Sequence, residues 1–294
     1  MSMHKRLLPV LSLLLGLVIA TPASAETRPN VVTSFSILAD FVRQVGGDKV
    51  GVTSLVGPDS DVHVYTPTPH DAKDVGAAQL LIVNGLGLEG WLPRLQQASG
   101  SKAPIVVATQ GITPRKRGSD ADPHAWQSVG NAMIYVRNIR DALVAADPAD
   151  AVAFKANAAR YLAELDALDR EVRAEIEKIP AERRKVISTH DAFGYFAEAY
   201  GIQFIAPLGV STETEPSARD VAEIIAQVRK ARIPAVFLEN FNDDRLVGRI
   251  AAETGARIGG TLYSDALSEE KGPVPTYIAM VRHNIRALTS ALVR

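Results

Sequence analysis

Histidine and aspartate side chains are the candidates for chemistry in this sequence. The chain contains no cysteine, which excludes thiolate metal sites, disulfides and a cysteine nucleophile. Three histidines follow β-branched segments, where α/β proteins commonly hold their ligands. They are His63, His124 and His190, and Asp265 follows a fourth such segment. Imidazole and carboxylate groups are the strong metal ligands that a chain without cysteine can offer.

The sequence allows two interpretations of these histidines, as ordinary hydrogen-bonded residues or as metal ligands. A lone histidine is usually a hydrogen-bonded surface or core residue, whereas three at strand ends could share one metal ion. Each has an acidic neighbour that could attract cations or fix the imidazole tautomer: Asp61, Asp122 and Asp191. The candidates are at least 61 residues apart, so they can meet only if distant loops converge on one cleft.

The segments around these residues alternate between strand and helix patterns. Runs typical of buried strands occur at 30–33, 50–56, 80–84, 104–108, 185–189, 203–206, 235–239 and 256–259. Helical patterns occur at 37–45, 70–77, 91–98, 193–200, 218–231, 244–254 and 275–292. This alternation predicts an α/β fold with mostly parallel sheets.

A long helix is predicted between the two α/β halves, over residues 147–180. Asp147 is a suitable N-cap, Pro148 suits the first helical position, and Pro180 ends the pattern. Apolar residues recur in steps of three and four: Ala158, Leu162, Leu165, Leu168, Val172, Ile176 and Ile179. The helix either packs on one lobe or joins two lobes as a rigid spine. We favour the spine, which predicts lobes at 26–146 and 181–294.

The N-terminus has the features of a secretory signal peptide. Lys5 and Arg6 precede an apolar run over residues 7–20 and a cleavage site that ends at Ala25. A transmembrane anchor would need a longer apolar run. We therefore expect residues 1–25 to be removed. We expect the mature chain to lie in the periplasm without a membrane anchor, because no cysteine is present for lipid attachment.

The composition narrows the class of protein further. A hydrophobic fraction of 47% and a charged fraction of 22% are ordinary for a globular chain with a sizeable core. The 32 basic residues nearly balance the 33 acidic residues. A broad nucleic-acid surface would need a basic excess, so nucleic acid is not an expected partner.

The chain resembles the zinc/manganese family of solute-binding proteins that serve ABC importers (cluster A-I), over nearly the whole mature sequence. The resemblance rests on several segments together: 33–40, 45–48, 54–58, 84–91, 122–126, 190–196 and 259–265. It implies two α/β lobes bridged by one long helix, with the metal in the cleft between them. It also implies the ligand set, which is His63, His124, His190 and Asp265.

The sequence departs from the family pattern near the first two ligands. Val62 stands where the family usually has proline. The φ angle at this position is therefore no longer fixed by a proline ring, but the imidazole of His63 is kept. His70 could compete as a ligand. Many zinc-binding members carry a histidine-rich insert before the second ligand, but residues 110–121 contain no histidine. Their basic run, residues 115–117, is predicted to be a solvated loop.

The ligand types predict zinc, with manganese as the alternative. Zinc accepts three imidazoles and one carboxylate in a tetrahedral arrangement. Manganese prefers more oxygen ligands, and the manganese-selective members of the resembled family typically have a carboxylate at the position of His190. Glu239 ends a predicted strand. It either accepts a hydrogen bond from a ligand imidazole or caps the next helix.

These features predict a periplasmic zinc carrier that delivers its ion to an ABC permease, and not an enzyme. Residues 85–90 fit the dinucleotide pattern G-x-G-x-x-G, but no acidic residue follows at 91–119 to bind a ribose. A secreted zinc hydrolase needs an open coordination position, which Asp265 would close. We expect a monomer. A periplasmic metallochaperone and a role in cell adhesion stay open.

Overall fold

The computed structural model describes residues 28–118, 120–214, 216–241 and 245–293. Within them the chain forms two four-stranded parallel sheets with helices between the strands. The α/β fold and its parallel sheets are therefore confirmed. The predicted signal peptide, residues 1–25, lies outside the described residues.

The first half of the chain forms a sheet in the order β2-β1-β3-β4. Its strands are β1 (Asn30–Phe35), β2 (Gly51–Val56), β3 (Leu80–Val83) and β4 (Ile105–Val107). The helices are α1 (Ser36–Gly46), α2 (Pro69–Ala77), α3 (Leu92–Ser99) and α4 (Val129–Ala146). Helix α4 has no counterpart among the predicted helices. A short antiparallel hairpin, β5 (Lys116–Arg117) and β6 (Asp120–Ala121), follows β4.

The long helix between the halves is α5 (Ala151–Glu177). Its 27 residues make it about 40 Å long. It is shorter than predicted at both ends. At its N-terminal end Pro148–Asp150 form a 3-10 turn, in which the Asp147 carboxylate accepts from the Ala149 amide. Leu162, which was predicted to lie in the apolar stripe, is only partly buried, and the neighbouring Tyr161 is buried instead.

The second half forms a sheet in the order β10-β9-β7-β8. Its strands are β7 (Lys185–Ile187), β8 (Gln203–Ile205), β9 (Ala235–Glu239) and β10 (Arg257–Leu262). Its helices are α6 (Gly194–Tyr200), α7 (Ala218–Ala231), α8 (Arg245–Thr254) and α9 (Tyr277–Leu292). Helix α7 begins with a capping box between Ser217 and Asp220.

One hydrophobic core runs through both halves. Helix α5 packs against α1 and α4 of the first half and against α6 and α9 of the second. The Phe41 ring of α1 contacts Tyr277 of α9, with the ring centroids 4.8 Å apart, and also lies beside Tyr161 of α5. A smaller core lies between the second sheet and helices α7 and α8. This packing restricts rotation between the halves. The lobe boundaries at residues 146 and 181 stay a prediction.

None of the described helices combines the length and hydropathy needed to cross a membrane.

Candidate metal centre

Four side chains from both halves meet between the carboxyl ends of the two sheets. His63 follows β2, His124 follows β6, His190 follows β7 and Asp265 follows β10. His124, His190 and Asp265 are fully buried, and His63 is 7% exposed. One potential ligand atom from each of the four lies within 4.8 Å of the others. The parallel topology therefore brings all four predicted ligands together.

The Nε2 atoms of the three histidines converge on the Asp265 carboxylate. The Nε2 atom of His124 is 3.3 Å from Nε2 of His63 and 3.3 Å from Nε2 of His190. Asp265 Oδ2 is 3.2 Å from Nε2 of His63 and 3.1 Å from Nε2 of His190. These distances put four donor atoms around one point.

Neither carboxylate oxygen of Asp265 has a hydrogen-bond partner in the described part of the chain, although both are buried. A buried carboxylate without hydrogen bonds is strongly unfavourable unless a positive charge compensates it. The imidazoles beside Asp265 are close, but their geometry does not satisfy its oxygens. A cation held between the four groups resolves this, so the donor set fits a metal ion.

Carboxylates orient two of the three imidazoles. His124 Nδ1 lies 2.9 Å from Asp122 Oδ1, which also accepts from the His124 amide. His190 Nδ1 lies 2.6 Å from Glu239 Oε2. Because an ionised carboxylate only accepts hydrogen bonds, each ring carries a proton on Nδ1 and turns Nε2 toward the cluster, where the neutral ring offers a lone pair.

His63 is held through its loop. Asp61 Oδ1 accepts from the His63 amide at 2.8 Å, and Asp61 Oδ2 accepts from the Thr212 hydroxyl of the other half at 2.6 Å. The Trp91 indole donates to the carbonyl oxygen of Val62 at 3.0 Å. These contacts fix the backbone around the imidazole.

Glu239 contacts a candidate ligand, as one of the two sequence alternatives for this residue had it. Its Oε1 atom accepts from the amides of Thr189 and His190, and its Oε2 atom also accepts from the Ser264 hydroxyl. The Ser264 carbonyl oxygen accepts from the Trp126 indole at 2.8 Å. The contact between Trp126 and Ser264 connects the segment before Asp265 to the segment after His124, across the two halves.

Neighbouring groups in the cluster shift the pKa values of His124, His190 and Asp265. Burial lowers the pKa of His190, but the Glu239 and Asp265 carboxylates outweigh it and hold that pKa well above its ordinary value. Burial likewise opposes a raised pKa at His124, where Asp265 and Asp122 raise it. Burial raises the pKa of Asp265, but the two imidazoles outweigh it and hold that pKa well below the ordinary range. A cation bound by these groups would compete with the protons on the two imidazoles.

Two further histidines and the G-x-G-x-x-G segment lie outside the cluster. His70 on α2 has a side chain that is 81% exposed and lies 3.6 Å from Asp74. His283 on α9 contacts the carbonyl oxygen of Thr261. In the G-x-G-x-x-G segment, the Glu89 carboxylate accepts from the amides of Asn84 and Gly85 and so closes the turn before α3.

The prediction of a solvated basic loop at residues 115–117 is wrong for Arg115. Its Nη1 atom donates to Asp122 Oδ2 at 2.5 Å, and its Nε atom donates to Glu198 of α6. Arg117 pairs with Asp191 at 2.9 Å. Acidic groups from both halves draw Arg115 inward, whereas the Arg117 side chain stays 69% exposed. Nothing in the local sequence indicated these distant partners.

The chain is similar to a known protein family and to individual metal-binding proteins. It matches the family described as "Zinc-uptake complex component A periplasmic" over residues 31–291. It is 38% identical over 279 residues to the iron-binding protein YfeA of Yersinia pestis, covering 91% of this chain and 89% of that protein. It is 35% identical over 264 residues to the manganese-binding lipoprotein MntA of Halalkalibacterium halodurans, covering 90% and 88%.

A solved structure gives the same result for the fold. The periplasmic zinc-binding protein TroA from Treponema pallidum aligns with a TM-score of 0.87 at 33% identity, covering 91% of this chain and 100% of that chain. The fold and the buried cluster thus define a metal-binding solute-binding protein of an ABC transporter. The chain belongs to the family of periplasmic zinc-uptake components.

Membership confirms several of the sequence predictions. The family consists of extracytoplasmic solute-binding proteins that bind a metal ion, work with a membrane permease and are not enzymes. The names of the relatives differ in their metal, which is iron, manganese or zinc. Family membership alone therefore leaves the identity of the ion open.

Proposed function

We propose that this protein captures zinc outside the cytoplasm and hands it to an ABC permease. The ligands in this proposal are His63, His124, His190 and Asp265. The observation that carries the proposal is the convergence of three Nε2 atoms on a buried carboxylate that has no hydrogen-bond partner in the described residues.

The spacing of the donor atoms supports zinc. A tetrahedral zinc site with bonds of about 2.0–2.1 Å places its ligand atoms about 3.3 Å apart. The distances from Asp265 and His124 to their neighbours in the cluster lie between 3.1 and 3.7 Å. Divalent zinc also binds a nitrogen-rich site more tightly than divalent manganese or iron does.

Manganese is the second candidate. The observation in its favour is the similarity to a relative named as manganese-binding. Manganese prefers oxygen ligands and a higher coordination number, and here a single carboxylate lies among three imidazoles. Manganese would therefore be carried where zinc is scarce.

The experiment is metal analysis followed by competition. Protein purified without chelator is analysed for zinc, manganese and iron, and the metal-free protein is then titrated with zinc and manganese in competition. We expect zinc to be retained and to displace manganese. Retention of manganese in the presence of equimolar zinc would reject the proposal of a zinc carrier.

The His190→Glu variant tests whether ligand type sets this preference. Replacing one nitrogen donor with oxygen should shift the zinc-to-manganese affinity ratio toward manganese. The exposed His70→Glu exchange is the matched control, because it adds the same charge outside the cluster. Equal ratios in wild type and His190→Glu would show that this position does not govern selectivity.

The cellular form is part of the proposal. We propose export with cleavage after Ala25 and a monomeric chain without a lipid anchor. The cleavage pattern at residues 23–25 supports the cleavage site, and the lack of cysteine in the sequence supports a chain without a lipid anchor. Intact-mass measurement of the exported protein tests the cleavage site, and sedimentation tests the oligomeric state.

A further inference from the structure

Arg115 connects to the metal cluster through one carboxylate. Its guanidinium donates to Asp122 Oδ2 at 2.5 Å, and Asp122 Oδ1 accepts from His124 Nδ1 at 2.9 Å. The chain of contacts thus runs from guanidinium to carboxylate to imidazole, and the imidazole presents its other nitrogen to the cluster. The Arg115 side chain is 26% exposed and Asp122 is buried, so water screens this pair only partly.

The corresponding carboxylate behind His190 has different partners. Glu239 accepts from two backbone amides and the Ser264 hydroxyl as well as from His190. None of these described hydrogen bonds comes from a lysine or an arginine. The two supported imidazoles are therefore unequal, because the charge of the carboxylate behind His124 is opposed by a guanidinium.

The charges around the cluster set how strongly it holds a cation. Asp122, Glu239 and Asp265 are buried carboxylates that ligate in the proposed site or lie directly behind a ligand. Arg115 opposes one of the three charges, so the group as a whole matches a divalent cation. Without the guanidinium the site would have one negative charge in excess and would hold the same cation more tightly.

Asp122 does not depend on the guanidinium of Arg115 for its position. The Asp122 carbonyl oxygen accepts from the Tyr195 hydroxyl, and its amide donates to the carbonyl oxygen of Arg115. Its carboxylate also accepts from the amide of His124. These contacts persist when only the guanidinium is removed, so such a substitution changes mainly the charge.

The guanidinium of Arg115 packs closely against α6 in the second half of the chain. A Cβ atom on Gly194 would lie only 1.5 Å from Arg115 Nη1. Glu198 accepts from Arg115 Nε, and the Tyr195 hydroxyl accepts from the Arg115 amide. Gly194, at the start of α6, has no side chain, and this leaves room for the guanidinium to reach Asp122.

We propose that Arg115 is a positioning residue that acts through Asp122 and His124 to weaken the hold of the site on its ion and speed release to the permease. The inference rests on the proposed function, because it takes His124 as a ligand. A carrier has to release its cargo as well as capture it. The positive charge of Arg115 opposes the negative charge of Asp122 behind His124, which favours release of the ion while all four ligands stay in place.

The test compares Arg115→Gln, Arg115→Lys and Arg117→Gln in the full mature protein. Zinc and manganese dissociation rates are measured with excess chelator, and affinities by chelator competition. Arg115→Gln should bind zinc about fivefold more tightly and release it correspondingly more slowly.

Two control variants accompany it. Arg115→Lys keeps the charge, so its zinc affinity and release rate should stay close to those of wild type. Arg117→Gln removes an arginine from the same hairpin that pairs with Asp191, not with Asp122, and should change either quantity less than about twofold.

The Glu198→Gln variant should change the rate of zinc release in the direction opposite to Arg115→Gln. It removes an exposed anion that pairs with Arg115 and leaves more of the guanidinium charge to act on Asp122. Zinc release should therefore become faster. Thermal unfolding of the metal-free variants shows whether each one is folded.

Two results would overturn the inference. One is weaker or unchanged zinc binding in folded Arg115→Gln, and the other is an equal effect in Arg117→Gln. His190→Ala, measured alongside, separates the inference from the proposed function. If His190→Ala loses zinc affinity while Arg115→Gln binds like wild type, only the inference fails. If His190→Ala also binds like wild type, the proposed site itself fails.

Discussion

The three buried imidazoles of the cluster are not equivalent. Glu239 holds His190 and Asp122 holds His124, each through Nδ1. His63 is held through its backbone, by Asp61 and by the indole bound to Val62. Ring rotation at His63 therefore breaks fewer of the described hydrogen bonds than rotation of the other two rings. We expect release to begin at the His63 loop.

Removing His190 should abolish tight metal binding. His190→Ala deletes one of four proposed ligands and leaves Glu239 without its imidazole, so zinc affinity should fall by more than about a hundredfold. Calorimetric titration measures this. His283→Ala is the control, because His283 contacts Thr261 outside the cluster. Equal affinities in wild type and His190→Ala would contradict the proposed site.

Glu239 should matter nearly as much as a ligand. Glu239→Gln replaces a carboxylate that accepts four hydrogen bonds with an amide that cannot accept at both ends. Zinc affinity should fall about 10- to 100-fold, because the His190 ring loses its charged partner. Competition with a chelator measures the loss. The exposed Glu177→Gln exchange on α5 should leave affinity unchanged, and a similar loss there would point to a general charge effect instead.

At the scale of elements, hydrophobic pattern predicted the strands but not every helix. The eight strands of the two sheets overlap the predicted runs. The match is clearest at β3, where all four residues are apolar and buried, as a strand covered on both faces requires. Helix α4 was missed. It contains Gly130 and Asn131 in its first turn and several β-branched residues, which lower intrinsic helix propensity. Packing against α1 and α5 stabilises it.

The site itself was only partly predictable. Strand ends indicated the four ligands, and the resemblance selected them as a set. The contacts of Arg115 depend on Asp122 and on Glu198, which lies 83 positions away in the chain. Such a pairing follows from how the hairpin packs on α6 and has no local sequence pattern.

The junction between α1 and α9 should make stability depend on pH. Asp40 of α1 is buried and accepts from the Tyr277 amide at the start of α9. Burial raises the pKa of Asp40, although the Tyr277 amide, Gln44 and Arg43 oppose the shift. As pH rises above about 3.9, the unfolded chain ionises first. Wild type should therefore lose unfolding free energy as pH rises through the folded-state pKa.

Asp40→Asn tests this effect, because an amide keeps an acceptor for the Tyr277 amide and cannot ionise. The unfolding free energy of Asp40→Asn minus that of wild type should grow between pH 4 and 7, by about 1.4 kcal/mol for each pKa unit of the shift. Denaturant unfolding of the metal-free proteins measures it. Asp166→Asn, on the exposed face of α5, should show a constant difference. A constant difference for Asp40→Asn as well would rule out the shift.

At the scale of the whole molecule, the cluster joins the two halves of the chain. His63 and His124 come from the first half, and His190 and Asp265 from the second. The contacts of Asp61 with Thr212 and of Trp126 with Ser264 also cross between the halves. Together with the packing of α5 on both halves, they favour local loop movement over a wide hinge. A bound ion adds a cross-link to this arrangement, so it should raise the unfolding temperature.

That stabilisation should disappear steeply on acidification. Zinc binds neutral imidazole, whose ordinary pKa is about 6.5. The pKa values of His124 and His190 lie above their ordinary values, so protons should begin to displace zinc above pH 6.5. With three imidazoles the affinity should approach a slope of about three decades per pH unit. Zinc titrations between pH 5 and 8, with the chelator corrected for its own protonation, measure the slope, and thermal unfolding with and without zinc follows the same change. A site built on one histidine would give a slope of about one decade per unit, and that result would exclude three-histidine ligation.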